Sequence, residues 1–216
     1  MGKIAVIDYG MGNLRSVWQA LVQVAEGREV VVTADPAQVA AADRVVFPGQ
    51  GAMPDCMAEL DARGLRPAVL QAARDKPFLG ICIGLQMLFQ HSEEGDVPGL
   101  GVLAGQVKRF PLEGMRDAAG QRLKVPHMGW NQVAQVAPAG EPHPLWQGIE
   151  DQARFYFVHS YYVVPQNDGI IVGCTEYGLP FTCAVAQDNI FAVQFHPEKS
   201  ARDGLALLKN FLHWQP

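Results

Sequence analysis

The first half of the chain alternates between short apolar runs and segments whose apolar residues recur at helical spacing. Strands are predicted in the segments "KIAVIDYG", "REVVVT", "DRVVFPG" (strand over 43–47) and "PFLGIC". Helices are predicted in "NLRSVWQALVQVA", which Asn13 can cap, and in "DPAQVAAA", "MAELDARGL", "RPAVLQAARDK" and "GLQMLFQHS". Because the strands are nearly all apolar and alternate with helices, the pattern predicts a parallel sheet that is covered on both faces.

The second half has a stronger β pattern. Strands are predicted in "KVPHMGWNQV", "ARFYFVHSYYVV", "GIIVGCTEY" and "FTCAVAQDNIFAVQFHPE", and the last of these is a hairpin that turns at Asp188 and Asn189. A closing helix is predicted in "ARDGLALLKNFLHW". No repeat or linker interrupts the pattern, so we expect one α/β domain over residues 1–216, with a central mixed, mostly parallel sheet flanked by helices.

Composition and charge narrow the class of protein. The 216 residues carry a formal charge of −5 without a basic run, which argues against a nucleic-acid surface, and no apolar stretch is long enough to span a membrane. The cysteines at positions 56, 82, 174 and 183 lack CxxC spacing. They are therefore expected to be reduced thiols of a cytoplasmic protein rather than a disulfide framework or a zinc site, and neither a metal nor a cofactor is expected.

Cys82 differs from the other cysteines because it lies between Gly80 and Gly84, where a predicted strand gives way to a predicted helix. Glycines at these positions permit a sharp turn and close packing, as in a nucleophile elbow. The amino end of the following helix would favour a thiolate over a thiol. The alternative is that Cys82 is a small core residue, and the G-x-C-x-G pattern alone does not exclude it.

A cysteine nucleophile needs a general base, and the base needs an orienting group. His196 ends a strand and is followed by Pro197 and Glu198, whose carboxylate could hold the far nitrogen of the imidazole ring. The other histidines fit surface positions in polar or terminal stretches, or structural positions in β-rich segments: His91, His143 and His213, and His127 and His159, respectively.

Two glycine-rich stretches also follow predicted strands. In "FPGQGAM", Gly49 and Gly51 could present backbone N–H groups to an oxyanion, although a plain tight turn would look the same. Active groups in α/β sheets gather beyond the carboxyl ends of the strands, which predicts that this loop lies near Cys82 and His196. In "GMGN", Arg15 replaces the third glycine of the dinucleotide-binding pattern, which disfavours nucleotide binding.

Taken together, "PFLGICIGLQMLF", "FAVQFHPEKS" and "FPGQGA" resemble the class I (triad-type) glutamine amidotransferases, which have a flavodoxin-like fold. The resemblance implies that Cys82 attacks the side-chain amide of L-glutamine, that His196 moves the proton and that Glu198 orients His196. The ammonia would then pass to a partner active site. Gln50 departs from the "PGVG" of many members but leaves the glycines in place.

The segments "DYGMGNLRSV" and "KVPHMGWNQV" more narrowly resemble the glutaminase subunit of imidazole glycerol phosphate synthase, and the resemblance runs from residue 3 to about residue 211. It implies a heterodimer with a (β/α)8 cyclase subunit, which makes imidazole glycerol phosphate and AICAR from PRFAR in histidine biosynthesis. No nucleic-acid or membrane partner is implied.

The resemblance also assigns residues outside the triad. Those implied in oxyanion or substrate binding are Gly49, Gly51, Gln86, Ser160 and Tyr161. Those implied in the partner interface are Asn13, Arg15, Met128, Trp130, Asn131 and Lys199. From the residues alone, Gln86 could be an exposed helix residue, Trp130 a core residue and Lys199 a solvated lysine.

Alternative functions remain open at this point. Within the same class, the chain could be the glutaminase of anthranilate, guanylate or formylglycinamidine synthesis. The segment "PHMGWN" instead favours the glutaminase subunit of imidazole glycerol phosphate synthase. A non-catalytic binding protein of the same fold would be expected to lose part of the triad, which is complete here. A stand-alone cysteine hydrolase of another amide is the third alternative.

Overall fold

The structure is a computed structural model that describes residues 2–111, 113–117 and 119–216. Its helices are α1 (Leu14–Val24), α2 (Pro36–Ala41), α3 (Met53–Ala62), α4 (Arg66–Asp75), α5 (Ile83–Met87) and α6 (Ala201–His213). Its strands are β1 (Lys3–Ile7), β2 (Glu29–Thr33), β3 (Arg44–Phe47), β4 (Phe78–Ile81), β5 (Phe89–Ser92), β6 (Val97–Pro98), β7 (Leu103–Arg109), β8 (His127–Gln132), β9 (Ala134–Gln135), β10 (Arg154–His159), β11 (Tyr161–Pro165), β12 (Ile171–Glu176), β13 (Pro180–Gln187) and β14 (Ile190–Val193). Short 3-10 turns lie at Pro144–Trp146, Asp168–Ile170 and Pro197–Lys199.

The main sheet joins a parallel half to a largely antiparallel half. The parallel half has the order β2-β1-β3-β4-β14, which is the flavodoxin-like order of doubly wound folds. The sheet continues through β13, β11, β7, β5 and β6, where the β5–β7 pair is again parallel, and β12 and β9 branch from β13. Strands β8 and β10 form a separate antiparallel pair. The predicted mixed sheet is therefore confirmed.

Side-chain alternation in β1 explains how helices cover both faces of the sheet. Ile4 and Val6 pack into one core with α1 and α6, whereas Ala5 and Ile7 pack into the other core with α2, α3 and α4. Successive residues of a strand point to opposite faces, so one apolar strand supplies both cores. The parallel strands therefore have the continuous apolar character that the sequence pattern predicted.

One predicted element is wrong. The segment "GLQMLFQHS" was expected to form one helix, but α5 ends at Met87 and β5 begins at Phe89. Phe89 is fully buried and pairs with Leu103 of β7, a strand that the sequence pattern had not revealed. A short apolar run fits a helix or a strand equally well until its pairing partner is known.

Candidate active site

The backbone at Cys82 is strained. Cys82 joins β4 to α5 with φ of 57° and ψ of −112°, a conformation that residues other than glycine rarely adopt. Its N–H donates to the carbonyl oxygen of Val193 in β14 at 2.8 Å, which ties the bend to the neighbouring strand. A strained strand-to-helix turn of this kind is the geometry of a nucleophile elbow.

The glycines on either side of Cys82 permit close packing. A Cβ added at Gly84 would lie 1.9 Å from the carbonyl oxygen of Phe47, and one added at Gly80 would lie 3.0 Å from the Cβ of Ala192. Gly84 therefore lets the start of α5 rest directly on the end of β3. No larger residue could occupy this position without displacing the backbone that carries Cys82.

The helix after Cys82 is shorter than the sequence predicted, because α5 contains only five residues. A single turn aligns few peptide dipoles, so its field at the sulfur is weaker than that of the longer predicted helix. Electrostatic support for a thiolate must therefore come mainly from neighbouring side chains.

His196 and Glu198 supply that support. His196 Nδ1 lies 2.8 Å from Glu198 Oε1, and the two side chains are only 5% and 2% exposed. His196 Nε2 is buried without a hydrogen-bond partner among the described residues, and it lines the same cavity as Cys82. Burial lowers the pKa of His196, but the charge of Cys82 and the Glu198 carboxylate together raise that pKa to about 10. The arrangement favours the imidazolium form of His196 beside Cys82.

Hydrogen bonds to Ser200 and to strand β10 hold the turn that carries His196 in position. Ser200 Oγ donates to the carbonyl oxygen of His196 at 2.6 Å and accepts from the N–H of Tyr156 at 3.0 Å. The N–H of His196 donates to the carbonyl oxygen of Tyr156 at 2.9 Å. These bonds join the turn to β10, so the imidazole is held by backbone contacts as well as by Glu198.

A cavity of about 310 Å³ opens beside Cys82 and His196. Its other lining residues are Gln50, Gly51, Ile83, Gln86, Glu94, Pro126, Val158, His159, Ser160 and Tyr161. Gly49 is not among them: it is buried below the loop, where an added Cβ would lie 1.8 Å from the hydroxyl oxygen of Tyr9. Of the two predicted oxyanion glycines, the structure brings Gly51 to the cavity and leaves Gly49 beneath it.

Gln86 is 3% exposed, so the interpretation of it as an exposed helix residue is wrong. Its Nε2 donates to the carbonyl oxygen of Tyr161 at 3.1 Å and to Gln194 Oε1 at 2.9 Å. The helix after the elbow and the "HSYY" segment, both implied in substrate binding by the sequence resemblance, are thereby joined by a hydrogen bond. Gln194, which is fully buried, was not anticipated.

Glu94 lines the cavity and was also missed by the sequence analysis. It is half-buried, and its Oε2 accepts from the N–H of Met53 at 2.8 Å, while burial raises its pKa. Glu94 reaches the cavity only because β5 replaces part of the predicted helix. No local sequence signal could have placed it there.

Of the remaining histidines, His127 and His159 are structural residues as expected, whereas His143 is not at the surface. His127 and His159 are buried and joined through Nδ1 and Nε2 at 3.0 Å, and burial lowers their pKa values to about 4 and about 3. His143 was expected at the surface but is half-buried against the rings of Phe191 and Trp214, and burial lowers its pKa to about 4.

Met128, Trp130, Tyr156 and Lys199 form a surface next to this site, which we call the Trp130 surface. Met128 is 61% exposed and Trp130 49% exposed, so the core interpretation of Trp130 is wrong. Tyr156 pairs with Trp130 across β8 and β10, and Lys199 Nζ lies 5.8 Å from the centre of the Tyr156 ring. The surface therefore extends without interruption from β8 to the turn that carries His196.

Three other residues assigned to the interface have local partners or are exposed. Asn131 Nδ2 donates to the carbonyl oxygen of Glu176 at 2.8 Å, and Asn13 Oδ1 accepts from the N–H of Ser16 at 3.4 Å as the cap of α1. Arg15 is exposed at the start of α1, a helix that packs against the turn Pro197–Lys199.

Metal-binding clusters and membrane-spanning helices are both absent from the part of the chain that the structure describes. Residues 2–111, 113–117 and 119–216 contain no group of three His, Cys, Asp or Glu side chains that could hold a metal ion. Within the same ranges, every helix is too short or too polar to cross a membrane.

Comparison with known proteins agrees with this geometry. The family described as "Glutamine amidotransferase class-I" matches residues 5–214. The chain is 72% identical over 213 residues to the protein named imidazole glycerol phosphate synthase subunit HisH of Dechloromonas aromatica (strain RCB), covering 99% of this chain and 97% of that one. It is 64% identical over 216 residues to the subunit of the same name in Aromatoleum aromaticum, covering all of both chains.

Solved structures with lower sequence identity support the fold. The crystal structure of a putative GMP synthase subunit from Thermoplasma acidophilum superposes with a TM-score of 0.70 at 17% identity, covering 99% of this chain and 93% of that one. The PurLQS structure from Thermotoga maritima gives 0.68 at 19% identity, covering 99% of each chain. On the family match and the identities above, the chain belongs to the class-I glutamine amidotransferase family and, within it, to the family of HisH subunits of imidazole glycerol phosphate synthase.

Proposed function

We propose that this chain hydrolyses L-glutamine to glutamate and ammonia, and that it passes the ammonia to a cyclase partner which forms imidazole glycerol phosphate and AICAR from PRFAR. The observation that carries the proposal is one cavity in which a strained Cys82 and the free Nε2 of His196 meet, with Glu198 2.8 Å from the opposite ring nitrogen. Residues 1–216 would act as one glutamine amidotransferase domain.

The proposed reaction has two stages. The Cys82 thiolate attacks the side-chain amide carbon of glutamine, and backbone N–H groups of the loop at Gln50 and Gly51 stabilise the oxyanion. The imidazolium of His196 donates its proton to the departing ammonia, which leaves a thioester on Cys82. His196 then removes a proton from water as the water attacks the thioester, and glutamate is released. Glu198 holds the imidazole in place throughout and acts as a positioning residue.

The ends of the substrate would be bound by polar groups of the cavity. The Glu94 carboxylate, half-buried at the cavity wall, is suited to the α-ammonium group of glutamine. Both hydrogens of Gln86 Nε2 are used within the protein, so its Oε1 is the atom available to a substrate donor. Ser160 and Tyr161, partly through backbone atoms, would bind the α-carboxylate from the facing wall.

The proposed partner is the (β/α)8 cyclase subunit, in a heterodimer. The Trp130 surface supports this proposal because exposed aromatic side chains are frequent anchors of protein interfaces, and it begins beside the turn of His196, where ammonia would leave. Asn13, Arg15 and Asn131 would extend the contact, and Lys199 would face an acidic group of the cyclase. A cytoplasmic location is supported by the four free cysteines.

The proposal is tested by measuring glutamate release by this chain, alone and with a purified cyclase subunit carrying its nucleotide ligand. We expect weak turnover alone, strong turnover in the complex, and a preference for glutamine over asparagine and small esters. Full activity of the isolated chain, or equal use of asparagine, would contradict it.

Variants of the cavity wall refine this test. Gln86→Ala and Glu94→Gln should each raise KM for glutamine, because each removes a proposed contact to the substrate. Gln187→Ala, a change at an exposed residue of β13, should leave KM unchanged. An unchanged KM in both cavity variants would remove their proposed binding role.

A further inference from the structure

Gln194 is fully buried two residues before His196 and connects two parts of the site. Its Oε1 accepts a hydrogen bond from Gln86 Nε2 at 2.9 Å, and its Nε2 lies 3.8 Å from Cys82 Sγ. β14 ends at Val193, and Gln194 and His196 both lie in the segment that directly follows it, so they approach the sulfur from one segment of chain.

The orientation of the Gln194 amide is determined by its neighbours. The carbonyl oxygen of Tyr161 can only accept, so the Gln86 atom that faces it at 3.1 Å must be the nitrogen. The same Gln86 nitrogen contacts Gln194, which must therefore offer its oxygen. The remaining end of the Gln194 amide, its NH₂ group, is left facing Cys82.

Two buried histidines determine the donor and acceptor roles at the Tyr161 carbonyl oxygen, where this series of hydrogen bonds begins. His159 Nδ1 lies 2.8 Å from the carbonyl oxygen of Tyr161 and must donate to it, so in the neutral ring Nε2 accepts from His127 Nδ1 at 3.0 Å. The lowered pKa values of both histidines keep the rings neutral and preserve this direction. The Tyr161 carbonyl therefore receives two donors, and rotation of the peptide would break both bonds.

We propose that Gln194 is a second hydrogen-bond donor to the sulfur of Cys82, which stabilises the thiolate together with His196 and restricts the position of the sulfur before substrate binds. This inference rests on the proposed role of Cys82 as the nucleophile. A hydrogen bond to a charged acceptor in a buried site is stronger than one between neutral groups.

Substitution of Gln194 alters the identity of none of the other titratable groups near the sulfur. They are His196 and Glu198 from the turn after β14, Glu94 from the loop after β5, His159 at the end of β10, and Tyr9 and Cys56 beneath the Gly49 loop. A change in thiolate formation in Gln194→Met, which adds no charge, therefore reports the lost N–H donor.

The experiment measures the rate at which iodoacetamide alkylates Cys82 between pH 5 and pH 10, with the labelled cysteine identified by mass spectrometry. Gln194→Glu keeps the shape and the acceptor for Gln86 but replaces the donor with a carboxylate oxygen. We expect alkylation of Cys82 at neutral pH to slow about tenfold and its midpoint to rise by about one pH unit. Gln194→Met, which removes the donor without adding charge, should shift the midpoint in the same direction by less.

Gln187→Glu, which adds the same charge at an exposed position of β13, is the matched control and should leave the profile unchanged. Alkylation profiles of both Gln194 variants that superpose on the wild type, with only a lower melting temperature, would overturn the proposal in favour of a structural role. If neither variant folds, Gln86→Met provides the test: it removes the bond that orients Gln194, and an unchanged midpoint would likewise overturn the proposal.

Because iodoacetamide needs no glutamine, this result is independent of turnover. A wild-type chain that fails to hydrolyse glutamine with its cyclase, while the Gln194 variants shift the profile, would refute the proposed function and leave this inference standing. If the wild-type chain hydrolyses glutamine with its cyclase but the Gln194 variants leave the alkylation profile unchanged, the proposed function stands and this inference is refuted.

Discussion

The Cys82 elbow and the Trp130 surface meet at one short turn, Pro197–Lys199, and they are built in opposite ways. At the elbow, the side chains proposed to react are buried and glycines permit backbone contact, with Gly84 resting on the carbonyl group of Phe47. On the Trp130 surface, large apolar side chains are exposed on a two-stranded sheet outside the main one. A nucleophile needs fixed neighbours and little water, whereas a docking surface needs apolar area that a partner can cover.

Neighbouring residues of the turn belong to different regions, the Cys82 elbow and the Trp130 surface. His196 and Glu198 are directed into the site, whereas Lys199 lies over the ring of Tyr156. Substitutions at the elbow should therefore reduce chemistry without reducing partner affinity, and substitutions on the Trp130 surface should do the opposite. The predictions below test this separation.

The largest effect is expected for Cys82→Ala. Without a nucleophile, glutamine-dependent synthesis by the complex should be abolished, while synthesis from added ammonia should continue because the proposed cyclase reaction consumes ammonia. Both rates are measured in the reconstituted complex, and Cys174→Ala, a change at a half-buried cysteine outside the cavity, serves as the control. Residual glutamine-dependent synthesis at the wild-type rate would exclude Cys82 as the nucleophile.

His196→Ala should lower kcat for glutamine by about 10²–10⁴-fold, the usual contribution of a general acid–base group. Glu198→Gln should retain more activity, because it weakens the orientation of the imidazole and leaves the proton carrier in place. His91→Ala, at the surface, should behave as wild type. Complex formation, followed by titration, should be unaffected in all three variants; a lower affinity for the cyclase would break the separation between the two regions.

Trp130→Ala should weaken binding of the cyclase by about 30-fold, which corresponds to about 2 kcal/mol for an aromatic anchor. Glutamine hydrolysis at saturating cyclase should stay close to wild type. Trp18→Ala, on α1, changes a tryptophan that is 38% exposed and whose indole N–H donates to Val30, and it should leave the affinity unchanged. Equal affinity in Trp130→Ala and wild type would remove this residue from the interface.

Gly84→Ala should lower the free energy of unfolding by about 1–3 kcal/mol, because the added methyl group overlaps the carbonyl oxygen of Phe47. Denaturant unfolding measures the loss, and glutamine turnover should fall with it because the elbow must move. Gly27→Ala adds a methyl group where nothing lies within 4 Å, although its φ of 84° is unfavourable for alanine, so stability should fall while turnover is preserved. Full turnover in Gly84→Ala would show that the elbow tolerates the shift.

The smallest effect concerns pH and stability. Because folding raises the pKa of His196 from its ordinary 6.5 to about 10, the stabilisation from its protonation is complete below pH 6.5 and is lost as the pH rises toward 10. Of the groups that raise this pKa, Cys82 contributes most, so Cys82→Ala should flatten the fall in melting temperature between pH 7 and pH 10. An equally steep fall in this variant would assign the effect to other groups.

The sequence alone determined the parts of the protein that depend on neighbours along the chain. The apolar runs of β1, β3, β4 and β14 identified the central strands, because strands buried on both faces have few polar positions. The glycines around Cys82 and the triplet of His196, Pro197 and Glu198 identified the candidate chemistry, because a sharp bend and a chain exit restrict which residues fit.

Only the tertiary structure decided what depends on residues distant in sequence. Phe89 lies in a strand because Leu103 of β7 pairs with it, and that strand brings Glu94 to the cavity. Gln194 reaches Cys82 across 112 positions of sequence, and Trp130 is exposed because β8 pairs with β10 outside the main sheet. Local pattern specifies backbone preference and polarity, but pairing between distant strands determines which side chains meet and which remain exposed.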